Sequence, residues 1–237
     1  MCQIETSGAG RQKATLALLP AAGIGMRARP LTSARPKCLL EIDGEPLIAR
    51  AVRTLRDGLG IRRIVVIVAA DDHETPRTLE QYAGVDLTIV RCEDPGIGLA
   101  RGMLAARAHL NEPFVMLLPD EVYEGGDHAV LPALDPGTLA ICGALPGRTG
   151  REIERNYSVV VEGTRILRLT EKPCAAADGW LGCGTFVFDP AIFDAIERAA
   201  ADSEGAHLEL IEVLDREVRA GARVDLCSLA GEYVNVN

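Results

Sequence analysis

The sequence of 237 residues predicts an α/β fold, in which a mixed, mostly parallel sheet forms the middle of three layers. Short apolar runs alternate with segments of helical periodicity along the first half, an alternation typical of parallel strands with helices on both faces. The residues are 48% hydrophobic and 25% charged, which suits a globular protein, and the length suits one domain. We therefore expect a single domain over residues 14–237, preceded by a polar, flexible tail over residues 1–13.

The first half supplies strands and helices in turn. Runs of Leu, Val, Ile and Ala predict buried strands at 14–22, 63–70, 86–90 and 113–118. Apolar residues at intervals of three and four predict helices between them at 46–59 and 97–110.

The second half has strands that follow one another with fewer helices between them. The strands are predicted at 139–145, 159–161, 165–169 and 185–188. Two helices follow, at 190–200 and 208–220. No internal repeat or long linker divides the chain, which supports one domain.

The chain is acidic, with a formal net charge of −9 and a pI near 5.0. Nucleic acid and anionic membrane surfaces repel such a chain, so neither is expected as a partner. No apolar run is long enough to span a bilayer, and the first residues lack the apolar segment of a signal peptide. The seven cysteines are scattered without a C-x-x-C pair, which favours reduced thiols and a cytoplasmic location.

Lysine is rare in this sequence. Of the 25 lysine and arginine residues, the lysines are Lys13, Lys37 and Lys172. Lys13 belongs to the predicted tail. The other two are candidate functional residues, because a compact ammonium suits a crowded phosphate better than the planar guanidinium of arginine.

A long loop rich in glycine, proline and cations follows the first predicted strand. Gly23 and Gly25 allow backbone N–H groups to approach a polyphosphate closely. The same glycine spacing matches a dinucleotide-binding fingerprint, which would indicate an oxidoreductase. That fingerprint requires a helix to begin at the loop, and Pro30 and Pro36 would break such a helix. The loop therefore favours a polyphosphate site, with cations at Arg27, Arg29, Arg35 and Lys37.

This loop resembles the signature of the sugar-1-phosphate nucleotidylyltransferases, since it reads Gly23-x-Gly25-x-Arg27-x-x-Pro30-Leu31-Thr32-x-x-x-Pro36-Lys37. The resemblance covers residues 16–237 and implies a Rossmann-like, nucleotide-binding form of the α/β fold. It implies that the loop, with Ala22, Gly23 and Gly25, wraps a nucleoside triphosphate. It also implies catalytic roles for Arg27, on the departing pyrophosphate, and for Lys37, near the phosphates in transfer.

A carboxylate closes the predicted strand at 113–118. Open α/β sheets bind ligands at the carboxyl ends of their strands, and Mg²⁺ prefers oxygen ligands, so Asp120 is the predicted metal ligand. A turn-capping role is the alternative interpretation of Asp120. The resemblance implies a second metal ligand after an aromatic residue near the end of the sequence, and Asn235 fits it, with Asn237 as the poorer candidate. The neighbouring Glu121 is expected to face away.

Thr170-Glu171-Lys172-Pro173 follows another predicted strand. The resemblance implies that Glu171 contacts sugar hydroxyls and that Lys172, a further catalytic residue, contacts the sugar phosphate. It also implies that Gly184 lines the sugar pocket. Ser158 stands where most family members have glycine, which would put a hydroxyl near the sugar and leaves the acceptor open.

The base is expected to lie against the backbone at Gly98, as the resemblance implies. Five residues earlier, where family members often have glutamine, this chain has Glu93. An ionised carboxylate only accepts hydrogen bonds; guanine offers two adjacent donors and cytosine offers one amino group. Glu93 therefore favours GTP, then CTP. A shifted loop spacing, which would leave Glu93 solvated, is the alternative.

The resemblance implies transfer of a nucleoside monophosphate from an NTP to a sugar-1-phosphate, with release of pyrophosphate and formation of an NDP-sugar. The expected cofactor is Mg²⁺, the expected partners are the two substrates, and a homo-oligomer stays open. Residues 112–120 resemble the UTP–glucose branch, so a uridylyltransferase is one alternative. A non-sugar phosphate or phosphonate acceptor is another. A catalytically inactive, nucleotide-sensing regulatory subunit is the non-enzyme alternative.

Overall fold

A computed structural model describes residues 10–23, 35–94, 96–126, 128–203 and 205–236. Its strands, in chain order, are β1 Leu16–Pro20, β2 Glu41–Ile42, β3 Glu45–Pro46, β4 Arg63–Ala69, β5 Asp86–Cys92, β6 Phe114–Leu117, β7 Glu121–Glu124, β8 Thr138–Arg148, β9 Tyr157–Glu162, β10 Arg165–Glu171, β11 Gly179–Phe188, β12 Arg223–Ser228 and β13 Glu232–Asn235. Its α-helices are α1 Leu47–Arg53, α2 Glu74–Leu79, α3 Leu99–Met103, α4 Gly150–Ile153, α5 Ile192–Asp202 and α6 Leu210–Arg219.

A nine-stranded sheet, ordered β5-β4-β1-β6-β11-β8-β12-β10-β9, forms the centre of the described fold. Strands β5, β4, β1 and β6 are parallel to one another. Beyond them the pairing is mixed, because β11 is antiparallel to β6 and β8 whereas β12 is parallel to β8. The carboxyl ends of β1, β4 and β6 therefore share one edge of the sheet, the usual ligand edge of open α/β folds.

Helices cover both faces of this sheet. On one face α3, α5 and α6 contribute to a core that includes Phe114 and Phe188 of the strands. On the other face α1 and α2 contribute Val52 and Leu79, which pack in one cluster with Val66 of β4. The three layers have buried apolar interfaces on both sides of the sheet, and the predicted three-layer α/β fold is confirmed.

Several predicted elements differ from the observed ones at their ends. The helix predicted at 46–59 is α1 followed by a π-helical turn at Thr54–Gly58. The helix predicted at 97–110 begins at Leu99 and continues as a 3₁₀ helix at Leu104–His109. The prediction lacked the short elements α2, α4, β2, β3, β7, β12 and β13.

The described part of the predicted tail contacts the rest of the fold through Arg11, whose Nε lies 2.7 Å from Asp135 Oδ1, and through Gln12. Gln12 forms an antiparallel bridge with Leu134, with both N–H···O distances at 3.0 Å. Within the described part of the chain, no helix has the length and apolar character needed to cross a bilayer.

Candidate active site

Two clefts meet at the carboxyl ends of β1 and β6. The first cleft is lined by residues after β1, by the start of α3 and by the 3₁₀ turn Lys37–Leu39. The second cleft is lined by residues of β9, β10, β11 and β13. Both clefts share Leu99, Leu118, Asp120 and Glu209. A molecule in one cleft would thus lie next to a molecule in the other at Asp120.

Lys37 and Asp120 form an ion pair where the clefts meet. The distance from Lys37 Nζ to Asp120 Oδ2 is 2.6 Å, and the two side chains are 12% and 25% exposed. The Lys37 backbone is held in a turn whose next two residues, Cys38 and Leu39, are buried in the core. The structure therefore brings together two predicted site residues that lie 83 positions apart.

Asn235 lies beside Asp120 because the last described strand is tied to the turn after β6. The backbone N–H of Val236 donates to the Asp120 carbonyl at 3.0 Å, and Asn235 lines the second cleft. The Oδ1 atom of Asn235 is buried and has no hydrogen-bond partner among the described residues. A carboxylate and an unpartnered amide oxygen fit Mg²⁺, which commonly takes one or two protein oxygens and leaves other positions to water and phosphate. Within the described residues, no cluster of three His, Cys, Asp or Glu side chains suits a fuller metal cage.

Glu121 does not face away as expected. Its carboxylate lines the second cleft and accepts hydrogen bonds from the Tyr233 hydroxyl (2.7 Å), the Tyr123 hydroxyl (2.6 Å) and the Gly184 N–H (2.6 Å). Because Asp120 lies in a turn and Glu121 begins β7, strand alternation does not separate their side chains. Burial, followed by the Asp120 charge, raises the pKa of Glu121 to about 7, although these hydrogen bonds oppose the shift.

Glu171 and Lys172 lie at the end of β10 and form an ion pair in the second cleft. Lys172 has a left-handed backbone with φ near 40°, and its N–H donates to the Asn156 carbonyl at 2.8 Å. A lysine in this region is uncommon, so the backbone of this turn is strained, and the contact with Asn156 holds it in place. Burial is the largest cause that raises the pKa of Glu171, and the Lys172 ammonium opposes it.

Two glycines of β11 keep the second cleft open. A Cβ on Gly184 would lie 2.5 Å from the Leu118 side chain, and a Cβ on Gly182 would lie 1.9 Å from the Tyr157 ring. Tyr157 lines the cleft, whereas the neighbouring Ser158 does not line either cleft. Successive side chains of a strand point to opposite faces, which explains why Ser158 is not brought to the site. Its predicted sugar contact stays a prediction.

The first cleft contains Ala22, Gly23 and Gly98. Gly98 has φ near 92°, and a Cβ there would lie 2.4 Å from the Leu208 carbonyl oxygen, so glycine is required where α3 begins. Glu93 is exposed in the bend after β5 and does not line either cleft, so its predicted role in base recognition stays a prediction. The predicted residues Gly25, Arg27 and Asn237 lie outside the described residues.

The prediction gave no role to His207, which lines the first cleft. Its Nδ1 lies 2.9 Å from the Gly96 carbonyl oxygen, and its Nε2 lies 2.8 Å from Glu209 Oε1. A carbonyl and an ionised carboxylate only accept hydrogen bonds, so these two contacts favour the protonated form of the imidazole. Glu209 is the largest cause that raises the pKa of His207. No sequence spacing signals this contact, which joins the loop before α3 to the residues before α6.

The family of this chain is shown by its similarity to known proteins. A family model described as "Nucleotidyl transferase" matches residues 16–232. The chain belongs to this family. The family resemblance found in the sequence is thereby confirmed, and the chain is an enzyme, a nucleotidyltransferase.

Curated relatives of this nucleotidyltransferase carry different substrate names. The chain is 29% identical over 225 residues to a UTP–glucose-1-phosphate uridylyltransferase of Haloferax volcanii, covering 93% of this chain and 90% of the relative. It is 27% identical to a glucose-1-phosphate thymidylyltransferase of Streptomyces antibioticus, over 92% of this chain and 61% of the relative. It is 28% identical to the mannose-1-phosphate guanylyltransferase catalytic subunit beta of Drosophila melanogaster, over 77% of this chain and 50% of the relative. The names do not agree on one base.

Solved structures support the fold alone, since their identities are low. The inositol-1-phosphate CTP transferase of T. maritima superposes with a TM-score of 0.79 at 18% identity, covering 95% of this chain and 91% of that one. A UDP-glucose pyrophosphorylase superposes with a TM-score of 0.74 at 21% identity, covering 94% of each chain.

Proposed function

We propose that this nucleotidyltransferase joins a nucleoside monophosphate, taken from an NTP, to a sugar-1-phosphate. The products are pyrophosphate and an NDP-sugar. The observation that carries the proposal is the pair of clefts that share Asp120, with Lys37 on the first cleft and Lys172 on the second. The NTP phosphates and the acceptor phosphate would thus each have a lysine nearby, with Asp120 between the two lysines.

The reaction is an in-line displacement at the α-phosphorus of the NTP. A phosphate oxygen of the acceptor forms the new P–O bond, the bond from the α-phosphorus to the β-phosphate bridging oxygen breaks, and pyrophosphate leaves with that electron pair. The attacking oxygen is already an anion, so no general base is needed. The enzyme's contribution is orientation and neutralisation of charge.

The lysines neutralise phosphate charge in this scheme. Lys37 would lie near the NTP phosphates from the first cleft, and Arg27 is the candidate for the departing pyrophosphate. Lys172 would hold the acceptor phosphate, while Glu171 accepts hydrogen bonds from sugar hydroxyls beside Gly184. The ion pair with Glu171 supports this role, because it holds the Lys172 ammonium in the second cleft.

Asp120 and Asn235 are the residues that would hold Mg²⁺. When bound, the ion would neutralise phosphate charge during the transfer. Asp120 also positions the Lys37 ammonium through the 2.6 Å contact. The unpartnered Asn235 oxygen supports the assignment, because a buried oxygen without a donor is suited to a cation.

Different observations favour different bases, and more than one class of acceptor fits the site residues. An acceptor-only carboxylate at Glu93 favours GTP, then CTP, if the loop brings it to the base. The Haloferax relative's name favours UTP and glucose-1-phosphate instead. A non-sugar phosphate or phosphonate acceptor stays the second alternative. The buried thiols of the described residues favour a reducing, cytoplasmic compartment.

The decisive experiment measures pyrophosphate release with ATP, GTP, CTP and UTP against a panel of sugar-1-phosphates, with a non-sugar phosphate and a phosphonate included. We expect release with at least one pair in the presence of Mg²⁺. Asp120→Ala should abolish this release, whereas the matched variant Asp57→Ala, at an exposed position, should retain it. Absence of pyrophosphate with every pair would contradict the proposal and favour the inactive, nucleotide-sensing alternative.

A further inference from the structure

The unpartnered Asn235 oxygen is the end of a chain of amide contacts. An asparagine amide has an oxygen end that accepts and a nitrogen end that donates, and the two ends have nearly the same shape. Which end of Asn235 faces a cation is therefore decided by whatever holds the other end. In this structure the other end, Nδ2, donates to Asn156 Oδ1 at 2.9 Å.

Asn156 is in turn oriented by the backbone. Its Nδ2 donates to the Glu152 carbonyl oxygen at 3.2 Å, at the end of α4. A carbonyl can only accept, so the reversed Asn156 amide would set two oxygens against each other. With Nδ2 held there, Asn156 presents Oδ1 to Asn235. This oxygen can only accept, so Asn235 must turn its nitrogen toward Asn156 and its oxygen away.

The backbone of Asn156 is also held in place. Its own carbonyl accepts from the Lys172 N–H at 2.8 Å, which ties it to the strained turn of the second cleft. The Tyr233 hydroxyl, with its single proton, lies 3.0 Å from Asn156 Oδ1 and 2.7 Å from Glu121 Oε1. Asn156 is thus held by the contacts of its carbonyl and of its Nδ2, and its Oδ1 can act as a fixed acceptor.

We propose that Asn156 is a positioning residue that orients the Asn235 amide, so that oxygen rather than nitrogen is available to a divalent cation beside Asp120. The inference rests on the proposed function, because it concerns the cation site of that reaction. The reversed Asn235 amide would aim two N–H donors at the cation and repel it. Outer contacts of this kind commonly change metal affinity by 10- to 100-fold.

The test is Mn²⁺ binding to the full chain, followed by the electron paramagnetic resonance signal of free Mn²⁺, without nucleotide. Asn156→Ala removes the acceptor and should weaken Mn²⁺ binding by about 10-fold or more. Asn156→Asp still offers an oxygen to the Asn235 nitrogen but loses the donor to the Glu152 carbonyl, so it should retain more Mn²⁺ affinity than Asn156→Ala. Asn235→Asp is the informative background, because a carboxylate has an oxygen at both ends. In that background Asn156→Ala should not weaken Mn²⁺ binding, because the Asn156 oxygen faces a carboxylate oxygen rather than an amide nitrogen.

Two outcomes would overturn the inference. One is an unchanged Mn²⁺ affinity in Asn156→Ala, and the other is an equal loss in the Asn235 and Asn235→Asp backgrounds, which would show a structural effect. Urea unfolding of every variant checks that it is folded, and Asn156→Asp supplies the comparison if the alanine variant is not. Pyrophosphate release from the same wild-type preparation separates the two proposals. Release combined with an unchanged Asn156→Ala affinity contradicts this inference alone, whereas the expected Mn²⁺ pattern without release contradicts the proposed function alone.

Discussion

Glu121→Gln should make the chain more stable at pH 8 and leave its stability at pH 5 nearly unchanged. The folded-state pKa of Glu121 is about 7, above its ordinary value of 4.5. A carboxyl whose pKa rises on folding binds more protons in the folded state. Its ionisation therefore lowers the free energy of unfolding as the pH rises from 4.5 through 7.

The magnitude follows from the size of this shift. One pKa unit corresponds to about 1.4 kcal/mol, so ionisation of Glu121 should lower the free energy of unfolding by about 2–3 kcal/mol between pH 5 and pH 8. Glutamine removes the charge and can keep the partners. Its oxygen can accept from Tyr123 and Gly184, while its nitrogen donates to the Tyr233 hydroxyl, which can turn its proton to Asn156.

The assay is urea unfolding at pH 5, 6, 7 and 8, with EDTA present and nucleotide absent, so that no cation stabilises the carboxylate. The control is Glu124→Gln, which removes a charge from an exposed position of the same strand. The stability difference between Glu121→Gln and wild type should grow with pH. A difference that is constant across this range, or one that Glu124→Gln reproduces, would refute the reasoning.

Three further predictions concern the clefts and the thiols. Lys172→Ala should raise the KM for the acceptor by roughly 10- to 100-fold with a smaller change for the NTP, because a charged contact to phosphate is lost; initial rates measure this. Gly98→Ala should destabilise the fold by about 1–3 kcal/mol in urea unfolding, because φ is near 92° and the new Cβ meets the Leu208 carbonyl; an unchanged midpoint would contradict this. Among cysteines of the described residues, exposed Cys174 should react with a thiol reagent in the folded state. Buried Cys38, with its pKa raised to about 12, should react only after unfolding, and Cys174→Ser should have one fewer fast-reacting thiol than the wild type.

An element of the fold was predictable where the residue pattern of one short segment was enough to identify it. The apolar run of β4 and the glycine-proline loop after β1 needed no knowledge of distant residues. The alternation of buried Val224 and Leu226 in β12 was also a local signal, and the prediction lacked this strand. The position of β12 between β8 and β10 depends on the order of the whole sheet, so no local pattern predicts it.

The charged residues of the site were predictable from the sequence, whereas the residues that hold them in position were much less so. Lys37, Asp120 and Lys172 belong to recognisable motifs, and the structure places all of them on the two clefts. The partners of Glu121 and Asn156 come from up to 112 positions away, so no spacing indicates them. The motif match likewise did not predict the side-chain direction of Ser158. A motif match places a residue in a strand but does not say which face of the sheet its side chain occupies.

The sheet order has a consequence for synthesis on the ribosome. Strand β12 lies between β8 and β10 although it follows both in the chain. Until β12 has emerged, an incomplete nascent sheet exposes the hydrogen-bonding groups of β8 to other chains. At typical elongation rates the interval between completion of β8 and arrival of β12 is on the order of 4–15 s. Cellular yield of this enzyme should therefore depend on chaperones that shield that edge, and slower translation across α5 and α6 should lengthen the exposure.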